Sequence, residues 1–205
     1  MERSHSTTLG DDTEKVIFQA AKRVLVQNGQ DATTMQQIAD EAGISRTALH
    51  YYYRSKDRLF QAVLVEEVDR FLPHITDILT NPSLSLEEKL RTFIDSYLSF
   101  LQANPYLPFF IASTLHRDPD SILRRQINMS DKFDRLLAFL NAELGDRIDR
   151  NALLNFVVDL MGMLVFPFLA RSMLKDQLLA EEDSFTSFVE RRKEHVLQML
   201  KGFLL

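Results

Sequence analysis

The chain has 205 residues, 45% of them hydrophobic and 26% charged, a balance that supports a packed core and excludes a disordered polyelectrolyte. No cysteine is present, which excludes disulfides, thiolate metal sites and cysteine nucleophiles and fits a reducing cytoplasm. The net charge of −5 argues against a protein that coats nucleic acid indiscriminately, yet between residues 43 and 60 Arg46, Arg54, Lys56 and Arg58 face only Asp57.

Few glycines and prolines, 6 of each, favour helices over sheets. The opening MERSHSTTLGDDTEK has no apolar run of the kind a secretory signal needs. A first helix is predicted from Asp12-Thr13, with Val16, Ile17, Ala20, Ala21, Val24 and Leu25 on its buried face and Gly29 as a left-handed cap. Thr34 and Gln37 form a capping box for a second helix that stops at Gly43. Ser45 opens a short third helix ending near Arg54-Ser55, and Ser55 caps a long one from Lys56 to about Thr80, with Pro73 inside. Ser85 and Glu88 form another capping box, and Asn104-Pro105 ends the helix they open. A short aromatic segment follows to His116, then a helix from Asp118-Pro119 to Gly145. An apolar helix from Asp149 through Pro167 and a last helix from Asp183-Ser184 complete the chain. The run 152–170 carries Asn155 and Asp159, so it reads as a helix buried in protein rather than a membrane span. The expected fold is all-α with about nine helices: a tail over 1–10, a helix-turn-helix domain over 11–57, and a larger helical domain over 58–205.

Two short helices joined through a glycine turn make a helix-turn-helix. Residues 33–60, TTMQQIADEAGISRTALHYYYRSKDRLF, resemble the DNA-binding domain of the TetR/AcrR family of bacterial transcriptional regulators. Ile38-Ala39, Ala42-Gly43-Ile44-Ser45, Leu49-x-Tyr51 and Ser55-Lys56-x-x-Leu59-Phe60 carry the resemblance, and His50 departs from it. In physical terms, Thr34 and Ser45 put helix N-termini where phosphates dock, and Lys56 is placed for the same backbone. Arg46 and Thr47, with His50, form the exposed start of the recognition helix, where Arg reads guanine and the Thr methyl touches thymine. Three consecutive tyrosines cannot share a helical face. The resemblance implies a buried aromatic at Tyr53, so Tyr53 and Leu49 four residues earlier are expected in the core and Tyr51 and Tyr52 towards phosphate. Taken singly, each cap or cation would be an ordinary helix end or surface charge; their joint spacing points to DNA.

The resemblance implies a homodimer whose C-terminal domain binds a small molecule. Phe93, Tyr97, Phe100, Phe110, His116, Met161 and Phe168 are the candidate lining of a lipophilic site, although each phenylalanine alone reads as core. Phe156, Leu160 and Leu164, with Phe185, Phe188, Val189, Val196 and Met199, are the expected dimer interface on the last two helices. No triad, phosphate loop or metal-spaced cluster is present and the five histidines are scattered, so neither an enzyme nor a cofactor or metal is expected. The expected protein is a cytoplasmic, nucleoid-associated ligand-responsive repressor on a palindromic operator, with no membrane partner. The competing reading is a helical carrier or sensor of hydrophobic molecules.

Overall fold

The computed structural model describes the backbone of residues 5–117, 129–144, 149–179 and 184–204. Expectations at Asp118-Pro119, Gly145 and Asp183 lie outside the described residues. Among those described there is no strand, and the protein is all-α. It divides into two compact units, Met1–Asp69 and Arg70–Leu205.

The first unit is built from α1 (His5–Ala32), α2 (Met35–Ala42), α3 (Arg46–Tyr52) and the start of α4 (Lys56–Thr80). Helix α1 begins at His5, inside the stretch expected to be a tail. Its apolar face is as predicted at Ile17, Ala20, Ala21, Val24 and Leu25, all buried, but Val16 is exposed one position off that face. Gly29 has φ 73 and ψ 173, so its positive φ needs glycine, but this is a kink rather than the predicted left-handed cap.

The caps of α2 and α3 follow local chemistry. Thr34 Oγ1 accepts from Gln37 N at 3.2 Å while Gln37 Oε1 accepts from Thr34 N at 2.8 Å, a reciprocal capping box. Gly43 is left-handed (φ 68), its N–H donating to Asp40 O at 3.1 Å and the Ile44 N–H to Ala39 O at 3.0 Å, the two bonds of a Schellman motif. Ser45 Oγ then accepts from Ala48 N at 3.1 Å and starts α3. Leu49 is the buried residue of α3; with Ile38, Ala39, Leu59, Phe60, Val63 and Leu64 it belongs to this unit's core.

The second unit comprises the rest of α4, α5 (Leu86–Ala103), α6 (Leu107–Arg117), α7 (Met129–Leu144), α8 (Arg150–Leu169), α9 (Arg171–Met173) with a π turn over Leu174–Leu178, and α10 (Phe185–Leu204). Helix α5 packs on α8 and α10, which also pack on each other, and α6 packs on α8. Leu90, Ile94, Leu98, Leu153, Phe156, Leu164, Phe185, Val189 and Val196 are among the buried residues of this core. Asp149 caps α8 by accepting from Ala152 N at 2.8 Å.

Helix α8 continues past Pro167 to Leu169. Proline has no N–H to donate to the carbonyl four residues back, which here is Met163. That carbonyl instead accepts from Arg192 Nε of α10 at 2.8 Å. With a mean hydropathy of 2.0, α8 is long and apolar enough to cross a membrane, but Leu153, Phe156, Leu160, Leu164, Pro167 and Phe168 are buried inside the protein.

Removing the buried Leu49 side chain is expected to destabilise the first unit by about 2–5 kcal/mol, read as a fall in the urea midpoint of Leu49→Ala. In the second unit burial pushes the Tyr97 hydroxyl up to about 12. The folded state therefore holds this proton between the ordinary value of about 10 and about 12, so stability is full below that window and falls as pH rises through it. Tyr97→Phe should flatten the loss of stability across this range; an unchanged pH slope would assign the loss to other groups.

Candidate nucleic-acid interface

Helix α3 sorts its side chains by the 100° step between residues. Arg46, Thr47, His50 and Tyr51 fall within an arc of about 140° and are all exposed, while Leu49 points the opposite way into the core. Arg46 and His50 have no side-chain partner among the described residues, and neither has Arg54 just beyond the helix. This face therefore presents an unneutralised guanidinium, an imidazole, a hydroxyl with its methyl, and a phenol, the donor and apolar groups that read base edges in a major groove.

The three tyrosines divide as their spacing requires. Tyr51 is 85% exposed and Tyr52 36%, their rings edge-to-face at 5.8 Å. Tyr53 is only 9% exposed; its hydroxyl donates to Glu14 Oε1 at 2.7 Å and its ring lies 5.9 Å from Phe18. Burial, and then the Glu14 carboxylate, raise the Tyr53 hydroxyl well above the ordinary phenol range. Tyr53 therefore anchors the end of α3 to α1. Thr34 and Ser45 are exposed residues at their helix starts, and the Thr34 hydroxyl also donates to Gln37 Oε1 at 3.0 Å.

Lys56 departs from expectation. Its ammonium is half-buried and donates to Gln30 O at 2.9 Å, Thr33 O at 3.0 Å and Asp31 O at 3.4 Å, rather than standing free for a phosphate. Elsewhere in this unit Lys22 pairs with Glu67 at 3.0 Å, and Arg23 with Glu41.

In the second unit the candidate ligand residues are only partly brought together. Phe93 and Tyr97 stack at 5.6 Å, Tyr97 meets Phe71 at 5.8 Å, and Phe71 stacks on Phe100 at 4.2 Å. Beside this ladder is an open groove of about 400 Å³ lined by Phe71, His74, Asp95, Ser96, Ser99 and Phe100. His74 Nε2 lies 3.1 Å from Ser96 Oγ, and Asp95 pairs with Lys193 at 3.5 Å. The sequence reading missed Phe71, His74 and the two serines; the signal was an aromatic and a histidine three apart on α4, facing serines at 96 and 99 on α5. Phe110 and Phe168 are buried, Phe168 edge-on to Phe185 at 5.4 Å, Met161 packs partly buried on the core, and His116 is exposed near the end of α6. None of these four lines the groove.

Most residues of the expected dimer interface lie in the core of the single chain. Phe156, Leu160, Leu164, Phe185, Val189 and Val196 are all buried within the single chain, and Phe188 packs partly buried against the same core. These side chains hold α8, α10 and α5 together within the chain. Of the expected set only Met199 is substantially exposed, at 59%. The uncovered apolar face of α8 is instead Leu154, Val158, Phe166 and Leu169, with Gly162 between them.

Residues 17–63, which contain α2, α3 and their anchors, match the family model described as bacterial regulatory proteins, tetR family. Over 92 residues the chain is 29% identical to the HTH-type transcriptional activator FasR of Mycolicibacterium smegmatis, covering 45% of this chain and 42% of that protein. Over 93 residues it is 32% identical to the HTH-type transcriptional regulator RutR of Escherichia coli K12, covering 44% of each. The chain thus spans less than half the length of these curated relatives. Its fold is similar to that of the transcriptional regulator FadR from Bacillus subtilis in complex with stearoyl-CoA, with a TM-score of 0.60 at 19% identity over 89% of this chain and 97% of that one. Capped α2, glycine turn and exposed α3 together with these matches make residues 17–63 a helix-turn-helix segment of the kind found in the TetR family of bacterial regulatory proteins.

Proposed function

We propose that this protein is a cytoplasmic, ligand-responsive transcriptional regulator, a repressor that binds a palindromic operator as a homodimer and leaves it when a small lipophilic effector binds. The observation that carries the reading is the α3 face: Arg46, Thr47, His50 and Tyr51 are exposed together on a helix whose other side is buried through Leu49. Arg46 and Thr47 read bases from the major groove, and Tyr51 and Tyr52 approach the phosphates beside the helix starts at Thr34 and Ser45.

Two copies are required because a helix-turn-helix reads one half-site, and operator symmetry mirrors protein symmetry. The pairing surface in this reading is the outward face of α8. Val158 and Phe166 are 59% and 57% exposed, and an isologous contact along this helix buries them against their symmetry mates. For the effector, FadR in complex with stearoyl-CoA supplies the precedent of a lipophilic ligand on a similar fold. The groove beside Phe71 and Phe100, with the His74–Ser96 pair at its wall, supports a ligand that combines an apolar body with a polar group.

Selection of DNA by the purified protein, with and without acyl-CoA thioesters, tests the whole reading. Enrichment of a two-half-site sequence, lost on addition of the thioester, is the expected result; no enriched sequence would sink the DNA-binding reading. Arg46→Ala is expected to relax the preference at one operator position by about 1–3 kcal/mol. Uniform weakening across all sequences would instead make Arg46 a backbone contact. Val158→Asp, at an exposed site, should give folded monomers by light scattering and much weaker operator binding. A DNA-competent dimer in this variant would exclude the α8 face.

A further inference from the structure

The connection between α1 and α2 leaves a cluster of carbonyls that helix geometry cannot satisfy. The last turn of a helix has C=O groups with no N–H four residues on, and they carry the negative end of its dipole. Here the kink at Gly29 adds to the problem, and two side chains meet it. Thr33, 1% exposed, donates its hydroxyl to Gly29 O at 2.6 Å. Lys56, from the first turn of α4, donates to Gln30 O, Asp31 O and Thr33 O.

An ammonium has three donors and no acceptor, so three carbonyls exhaust it. The Phe60 ring lies 5.6 Å from the same nitrogen and adds a cation–π contact. A phosphate could reach Nζ only by displacing one of these charge-assisted bonds, which are roughly twice as strong as neutral ones.

We infer that Lys56 is a positioning residue rather than a phosphate contact: it clasps the α1–α2 junction and so sets the direction in which α2, and α3 after it, leave that junction. Thr33 O is the acceptor immediately before the N-cap Thr34, so the clasp ends where the capping box begins. This inference rests on the DNA-binding reading for its consequence but not for its geometry.

The experiment therefore has one arm without DNA and one with it. In the free wild-type protein, NMR should detect hydrogen-bond scalar couplings from the Lys56 ammonium to the carbonyl carbons of residues 30 and 33; a rapidly exchanging ammonium with no coupling overturns the clasp. Lys56→Met keeps the aliphatic stem and removes the donors. It is expected to speed amide exchange in residues 33–38 by roughly tenfold or more, the equivalent of losing a hydrogen bond to a charged group, and Lys56→Arg should restore much of the protection. Unchanged exchange in Lys56→Met overturns the inference. On the selected operator, Lys56→Met should bind more weakly with the salt dependence of the wild type. A slope smaller by about 0.9 per half-site would mean a lost phosphate contact and overturn it. Should Lys56→Met fail to fold, the wild-type couplings still decide. If the wild type binds no operator at all, the proposed function fails while the couplings and exchange judge the clasp separately.

Discussion

A helix of seven residues has no stability of its own in water, because nucleation costs more than so few hydrogen bonds return. Helix α3 exists in this protein because its surroundings hold it at both ends and from beneath. The Ser45 hydroxyl satisfies one of its first amides, Leu49 sits fully buried under it, and Tyr53 ties its end to Glu14 on α1. Every exposed side chain of α3 takes its direction from those restraints. The exposed face is what remains of a short helix once one residue has been committed to the core.

Much of this was legible because it is local. Thr34 with Gln37, Ser45, Ser85 with Glu88, and Asp149 each act on an amide three residues away, so residue type and spacing suffice to predict them. The helical repeat already requires Tyr51, Tyr52 and Tyr53 to divide their roles, and the family resemblance marks Tyr53 as the buried one. The extension of α1 to His5 was not legible, since no apolar periodicity marks its polar first turns. Nor was the partner of Lys56: its charge is evident from the sequence, but its acceptors lie more than twenty residues upstream and are backbone atoms that leave no trace in residue type.

The second unit shows the opposite problem. Helix α8 is apolar nearly all round, so no polar face marks which side is inward, and Phe156, Leu160 and Leu164 were as plausible outside as in. Packing against α5, α6 and α10 sets that phase, and it leaves Leu154, Val158 and Phe166 uncovered. The aromatic groove has the same character. Phe93, Tyr97 and Phe100 on α5 could be read as a set, but Phe71 and His74 join them only because α4 and α5 lie side by side within this unit.

The contact between Arg192 and the Met163 carbonyl makes two distant positions conditional on each other. With proline at 167 the carbonyl needs a donor from another helix, and the arginine supplies it. With any other residue there the helix would supply its own, and the guanidinium would be redundant at that point. Pro167 and Arg192 are thus a single choice made at two places in the chain, in which a helix gives up a bond to itself and gains a stitch to its neighbour.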